Sequence, residues 1–166
     1  MDEFLGGCFG PNSSVHHAGD HPIKMCELQV GDKLLVLNGF ATVKAIVAIF
    51  IPTEVLVFES GLELTPTQLV FHNFKSVQAR DLPGVVATKM VDCIFKLVLH
   101  ADNRLSKVLL VTDRECVTDE ESVIDRIFGN LRDGKFIAKA VMFQEKICGF
   151  SLHSESCVLA EISSEF

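Results

Sequence analysis

Lys33-Leu34-Leu35-Val36-Leu37-Asn38-Gly39 is the stretch that decides the fold class. A short apolar run that meets an Asn-Gly pair reads as a strand entering a tight turn, because Asn and Gly accept the positive φ values such turns require. The same pattern repeats outward from it. Thr42 to Phe50, Glu54 to Phe58, Leu62 to Thr65, Gln68 to Phe71, Val85 to Val91, Cys93 to Leu99 and Lys107 to Val111 are further short apolar runs bounded by turn residues. So many strands without intervening helices predict an all-β domain. Leu28-Gln29-Val30-Gly31-Asp32 is echoed by Asp81-Leu82-Pro83-Gly84, each a leucine leading through a glycine turn into an apolar strand, the mark of an internal duplication.

After Val117 the texture changes. Thr118-Asp119-Glu120-Glu121 fits a capping box, and Val123, Ile124, Ile127, Phe128 and Leu131 fall on one helical face. One amphipathic helix is therefore expected from Asp119 to Gly129. Arg132-Asp133-Gly134-Lys135 then turns into an apolar run from Phe136 to Phe143 that reads as a further strand. The expected organisation is a short N-terminal segment over 1–7, a β core over 8–118, a helix and strand extension over 119–162, and a tail over 163–166.

Composition narrows the function. A chain of 166 residues, 48% hydrophobic and 22% charged, is long enough to bury a core as one domain, which excludes disorder as its main state. Its 15 Lys and Arg against 22 Asp and Glu leave a net charge of −7 with no basic cluster, so no nucleic-acid partner is expected. The longest apolar run, Ala45 to Ile51, falls far short of the roughly 20 residues that span a bilayer, so no membrane helix is expected either. Met1-Asp2-Glu3-Phe4 carries acid where a secretory signal needs base, which favours a cytoplasmic location. All aromatic mass comes from 13 Phe, with no Trp or Tyr, which suits a dry core and disfavours stacking on bases or sugars. The six cysteines form no C-x-x-C pair and are expected to be reduced and mostly buried.

Cys8, directly after Gly6-Gly7, is the residue with chemistry to offer. A thiol on one residue can attack the carbonyl of the residue before it through a five-membered ring, which turns that peptide bond into a thioester. Gly7 leaves the carbonyl face open and tolerates unusual backbone angles. The competing reading is a small buried hydrophobe. His16, His17 and His21 match no standard zinc spacing and read as part of a polar loop, while His72 reads as an edge histidine.

Gly7-Cys8-Phe9, then Val15, then Ile23 to Leu34 resemble the opening block of the Hint superfamily, the self-processing domains of hedgehog proteins and inteins. Leu64-Thr65-Pro66-Thr67-Gln68-Leu69-Val70-Phe71 resembles that superfamily's T-x-x-H segment, and Ala79-Arg80-Asp81-Leu82 with Gly84 is similar to the stretch that normally comes after that segment. Ile94 to Leu99 resembles the strand that returns beside the site. Val108 to Val111 leading to Glu115-Cys116-Val117-Thr118 is similar to the ending of the Vint subgroup, with Ile127-Phe128-Gly129 as a fainter extension.

The resemblance implies an all-β horseshoe with pseudo-twofold symmetry and the first cysteine at its centre. It makes Cys8 the nucleophile and Gly7 the donor of the attacked carbonyl, with Thr65 holding the scissile peptide. The histidine that protonates the leaving nitrogen falls on Gln68, which cannot deliver a proton near neutral pH. Cys116 matches a cysteine that lies near the catalytic centre in hedgehog-type domains, where it could approach Cys8 as a redox partner or simply fill the core. The implied function is an autocatalytic N-to-S acyl shift at Gly7-Cys8 with cleavage of the thioester. The substrate would be the chain's own N-terminal flanking polypeptide, and the acceptor water or a small thiol. No metal or organic cofactor is needed by that chemistry. Ala48-Ile49-Phe50-Ile51-Pro52 holds no carboxylate where sterol activation would need one, and Ser163-Ser164-Glu165-Phe166 is not an intein ending, so neither sterol transfer nor splicing is expected. A catalytically decayed module retained for binding or structure is the alternative. A thiol enzyme acting on external substrates is a third reading, and it lacks a matched base.

Overall fold

The computed structural model describes residues 7–19, 21–103, 105–120, 122–123, 125–127, 140–147, 150–151 and 157–161, the last three as backbone. Its described strands are β1 (Ser14–His17), β2 (His21–Lys24), β3 (Lys33–Val36), β4 (Gly39–Phe50), β5 (Thr53–Phe58), β6 (Glu63–Leu64), β7 (Leu69–His72), β8 (Lys75–Gln78), β9 (Val85–Val91), β10 (Ile94–Leu99), β11 (Val108–Val111), β12 (Arg114–Val117), β13 (Ala140–Ile147), β14 (Phe150–Ser151) and β15 (Cys157–Glu161). The domain is mostly β, a sheet curled into a half-barrel. Residues 122–123 and 125–127 are helical, inside the span expected for the helix. Its proposed stop at Gly129, the turn at 132–135 and residues 136–139 lie outside the described residues.

One long strand joins the two halves of the curl. β4 runs for 12 residues, and its start, Gly39 to Thr42, pairs with β3. From Val43 onward it pairs with β10 on one side, and from Ala45 with β13 on the other. The first half is buried at alternate positions, whereas Ala45 to Ile49 are all buried. That difference reflects what covers the strand: one apolar face needs alternation, and two need a continuous apolar run. Ile46 and Ala48 enter the larger core with Phe95, Leu97 and Leu99, while Ala45, Val47 and Ile49 face a second cluster that contains Cys8, Ile94, Val98, Val123 and Ile127. The sheet thus separates two cores, and Cys8 belongs to the smaller one.

The suspected duplication is visible in the backbone. A 3-10 turn at Met25–Glu27 ends in Leu28, and another at Ala79–Asp81 ends in Leu82, both leucines extended and both donating N–H to the first residue of the turn. Gly31 and Gly84 then take nearly equal positive φ values, 97° and 96°, before β3 and β9. Two copies of one turn, each entering a strand, place the halves of the horseshoe alike. The Asn38-Gly39 turn is displaced by one residue: Val36 pairs with Gly39, so Leu37 and Asn38 turn the chain and Gly39 opens β4. The expected polar loop at His16, His17 and His21 is instead the β1–β2 hairpin, in which His17 pairs with His21 and their rings stack with centroids 5.0 Å apart.

A buried carboxylate ties the N-terminal loop to this frame. Glu63 accepts from the Asn12 backbone N–H at 3.0 Å, from Asn12 Nδ2 at 3.3 Å and from Lys89 Nζ at 2.8 Å. Its main chain takes Gly10 N–H and the Ser13 hydroxyl as well. Gly10 is needed for this approach, because a Cβ there would sit 2.5 Å from the Glu63 Cβ. Glu63→Gln should lower stability by about 1 to 3 kcal/mol, since an amide keeps one acceptor but turns a donor toward Asn12 or Lys89. Urea unfolding measures it, and an unchanged midpoint would contradict the assignment.

Candidate active site

Residues 7 to 10 are threaded through the centre of the curl, and each backbone contact there has a named partner. Phe9 and Phe95 exchange both N–H···O bonds at 2.9 Å, which attaches the segment to β10, and Phe9 also bridges Leu64 of β6. Thr65 N–H donates to the Cys8 carbonyl at 3.0 Å. The Thr65 hydroxyl lies between the two polar groups of Cys8: Oγ1 accepts from Cys8 N–H at 2.8 Å and is 3.3 Å from the Cys8 carbonyl. Cys8 itself is 1% exposed. Thr65, 57 residues away in sequence, therefore holds the nitrogen of the Gly7-Cys8 bond.

The oxygen of the same bond is held by a residue that sequence reasoning passed over. Lys96 Nζ donates to the Gly7 carbonyl at 2.7 Å, and its side chain has no exposure. On β10 it shares a face with Ile94 and Val98, the face turned to Cys8. Asp119 Oδ1 stands 3.2 Å from the same ammonium. Burial raises the Asp119 carboxyl above its ordinary value, and the Lys96 ammonium and the Arg126 guanidinium work against that rise. Sequence offered one signal for Lys96, a single charge inside an otherwise apolar strand run, and Asp119 was visible only as a capping residue.

Gln68 is buried and adjoins this bond, but in an orientation that its identity alone did not reveal. Both hydrogens of its amide are committed, Nε2 donating to the Leu69 carbonyl at 2.9 Å and to the Val117 carbonyl at 2.8 Å. Only its oxygen is turned toward Gly7, where an added Cβ would lie 2.7 Å from Oε1 and 2.2 Å from the Gln68 Cα. The glycine is thus required by close packing against Gln68, beyond its conformational freedom. A cavity of about 520 Å³ opens onto Gly7, lined also by Thr67, Gln68, Arg80, Asp119 and Arg126.

Cys116 is on β12, opposite Val70 and Leu109, in the larger core rather than in the cluster that holds Cys8. Its thiol points to the Arg114 carbonyl at 3.9 Å, and burial pushes it far above the ordinary thiol value. Burial pushes the Cys93 thiol up to about 12, helped by the nearby Cys26. Cys8, Cys93 and Cys116 are buried and Cys26 is exposed, with no disulfide among these four; Cys148 and Cys157 lie outside the described side chains. His72 ends β7 opposite Lys75, half-buried. Among the described residues no group of three or more His, Cys, Asp or Glu could hold a metal ion, and no helix is long and apolar enough to cross a membrane.

The curled β fold is shared with solved inteins. The gp41-1 intein superposes with a TM-score of 0.52 at 12% identity, covering 68% of this chain and 99% of that one. A DnaB intein from Synechocystis sp. PCC 6803 gives 0.53 at 10% identity over 68% and 99%. The Ssp DnaB mini-intein variant M86 gives 0.55 at 11% over 70% and 97%. No curated protein matches the sequence. The family model of the Vint Hint-domain matches residues 7–141, and the chain belongs to that family.

The packing around Gly7 and the burial of the thiols can each be measured. Gly7→Ala should displace the segment from Gln68 and cost about 1 to 3 kcal/mol by overpacking, read by urea unfolding. In native protein at neutral pH, iodoacetamide followed by peptide mass mapping should modify Cys26 well before Cys93 or Cys116, because thiolate and access are both needed. Equal labelling of the three would contradict the placement.

Proposed function

We propose that this chain is a self-processing domain that converts the Gly7-Cys8 peptide bond into a thioester by an N-to-S acyl shift. A small thiol or water then releases the polypeptide ahead of Cys8. The observation that supports this most is the hydrogen bond from the Cys8 nitrogen to Thr65 Oγ1 at 2.8 Å, because it fixes the scissile nitrogen beside the carbonyl that a five-membered ring would join to the Cys8 thiol. The substrate is the chain's own upstream segment, so the reaction runs once per molecule. The cavity beside Gly7 gives a small acceptor its way to the acyl carbon.

The leaving nitrogen must gain a proton as the bond breaks, and Gln68 has none to give. Its donors are spent on Leu69 and Val117. A missing general acid removes about 10² to 10⁴ in rate, so the reaction in this chain is slow. That same saturation of Gln68 favours a second reading, in which the site is catalytically decayed and the module serves binding or structure.

A folded reporter fused upstream separates them by its thiol-dependent release. Cys8→Ala should abolish release, whereas Cys26→Ala and Cys93→Ala should leave it intact; release surviving in Cys8→Ala would overturn the mechanism. Gln68→His should raise the rate by up to about 10² to 10⁴, since an imidazole brings a group that can carry a proton near neutral pH to a position beside Gly7. Thr65→Ala in that background should reverse much of the gain. A folded Gln68→His protein with no release would favour the decayed module.

A further inference from the structure

Lys96 is in an unusual place for a lysine. Its stem is long enough to carry an ammonium to water, and lysines in apolar surroundings normally use it so. Here the charge points inward, with no exposure, although an apolar residue would suit a face shared with Ile94, Val98 and Cys8. Desolvating an ammonium is costly unless charge and hydrogen bonds compensate for it. Asp119 supplies one partner at 3.2 Å, and the Gly7 carbonyl oxygen supplies the other at 2.7 Å. The second contact is to the oxygen on which negative charge would develop during an acyl shift.

We propose that Lys96 is a catalytic residue of that shift, the electrophile that binds the oxyanion, with Asp119 as the positioning residue that aims its ammonium at Gly7. The assignment rests on the acyl-shift reading above. As the Cys8 sulfur bonds to the Gly7 carbon, the carbonyl π pair moves to oxygen, and the 2.7 Å contact becomes a contact between opposite full charges. Interactions that strengthen toward the transition state are those that accelerate a step. When the oxyanion collapses, the carbon–nitrogen bond breaks and the thioester carbonyl forms. The proton lost by the sulfur is the one gained by the Cys8 nitrogen, so the step is an isomerisation and Lys96 keeps its three protons throughout. The site would thereby stabilise charge at oxygen, where Gln68 cannot protonate at nitrogen.

Two readouts on the full chain test this. The first needs no turnover: in a Cys8→Ala background, with Gly7 labelled by carbonyl ¹³C, the resonance should lie downfield. It should move upfield in Lys96→Met and in Asp119→Asn and be largely restored in Lys96→Arg. The second is reporter release in the Cys8 protein, expected to fall about 10² to 10³-fold in Lys96→Met and less in Lys96→Arg. Circular dichroism establishes that each variant is folded, and Lys96→Arg carries the test if Lys96→Met is not. An unshifted resonance would overturn the contact, and equal release in folded Lys96→Met would overturn the catalytic role. A shifted resonance with no release in any protein would bring down the acyl-shift reading and leave Lys96 as an anchor for the segment.

Discussion

The structure depends on how residues 7 to 10 are held inside a half-barrel of β sheet. Cys8, Phe9 and Gly10 are buried there and cannot turn to water for hydrogen bonds, so their donors and acceptors must be met by the protein. Lys96 takes the Gly7 carbonyl, Thr65 takes both polar groups of Cys8, Phe95 takes both of Phe9, and Glu63 takes the Gly10 N–H. These partners come from β6, the turn after it and β10, elements distant in sequence. Placing them around one segment requires the long β4 and the two matched 3-10 turns, one in each half of the curl. Glycines at 7 and 10 let that segment approach Gln68 and Glu63 more closely than any side chain would permit.

The same grip defines what the site can do and where it is weak. One peptide bond is held at its nitrogen by a neutral hydroxyl and at its oxygen by a buried ammonium. Both contacts orient the bond, and the second polarises it in the direction of nucleophilic attack. The amide of Gln68 is fastened to two carbonyls, so on the proposed reaction it has no hydrogen to offer the scissile nitrogen.

Much of the fold was legible in the sequence because its strands are short, apolar and separated by turn residues. Strands β3 to β7 and β9 to β11 fall within a few residues of the expected ones, whereas β8, Lys75–Gln78, was not read. The β1–β2 hairpin was missed because His16, His17, His21 and Pro22 carry none of the apolar alternation on which strand reading depends. At the site, the resemblance pointed to Gly7, Cys8 and Thr65, and the structure brings the Thr65 hydroxyl to the Gly7-Cys8 bond. Lys96 and the orientation of Gln68 were not legible in the sequence. A lysine in a strand reads as a solvent-facing charge, and nothing local indicates that it meets a carbonyl 89 residues away. Cys116, chosen for its position in the motif, belongs to the other core.

The most direct test of the central claim uses the chain as it stands. Hydroxylamine attacks a thioester far faster than an amide, so it captures the acyl group wherever the shift has occurred. Intact mass spectrometry after incubation should show a slowly growing species that begins at Cys8, together with a peptide of residues 1–7 ending in a glycine hydroxamate. A chain that keeps its Gly7-Cys8 bond under these conditions while retaining its native circular dichroism would contradict the account.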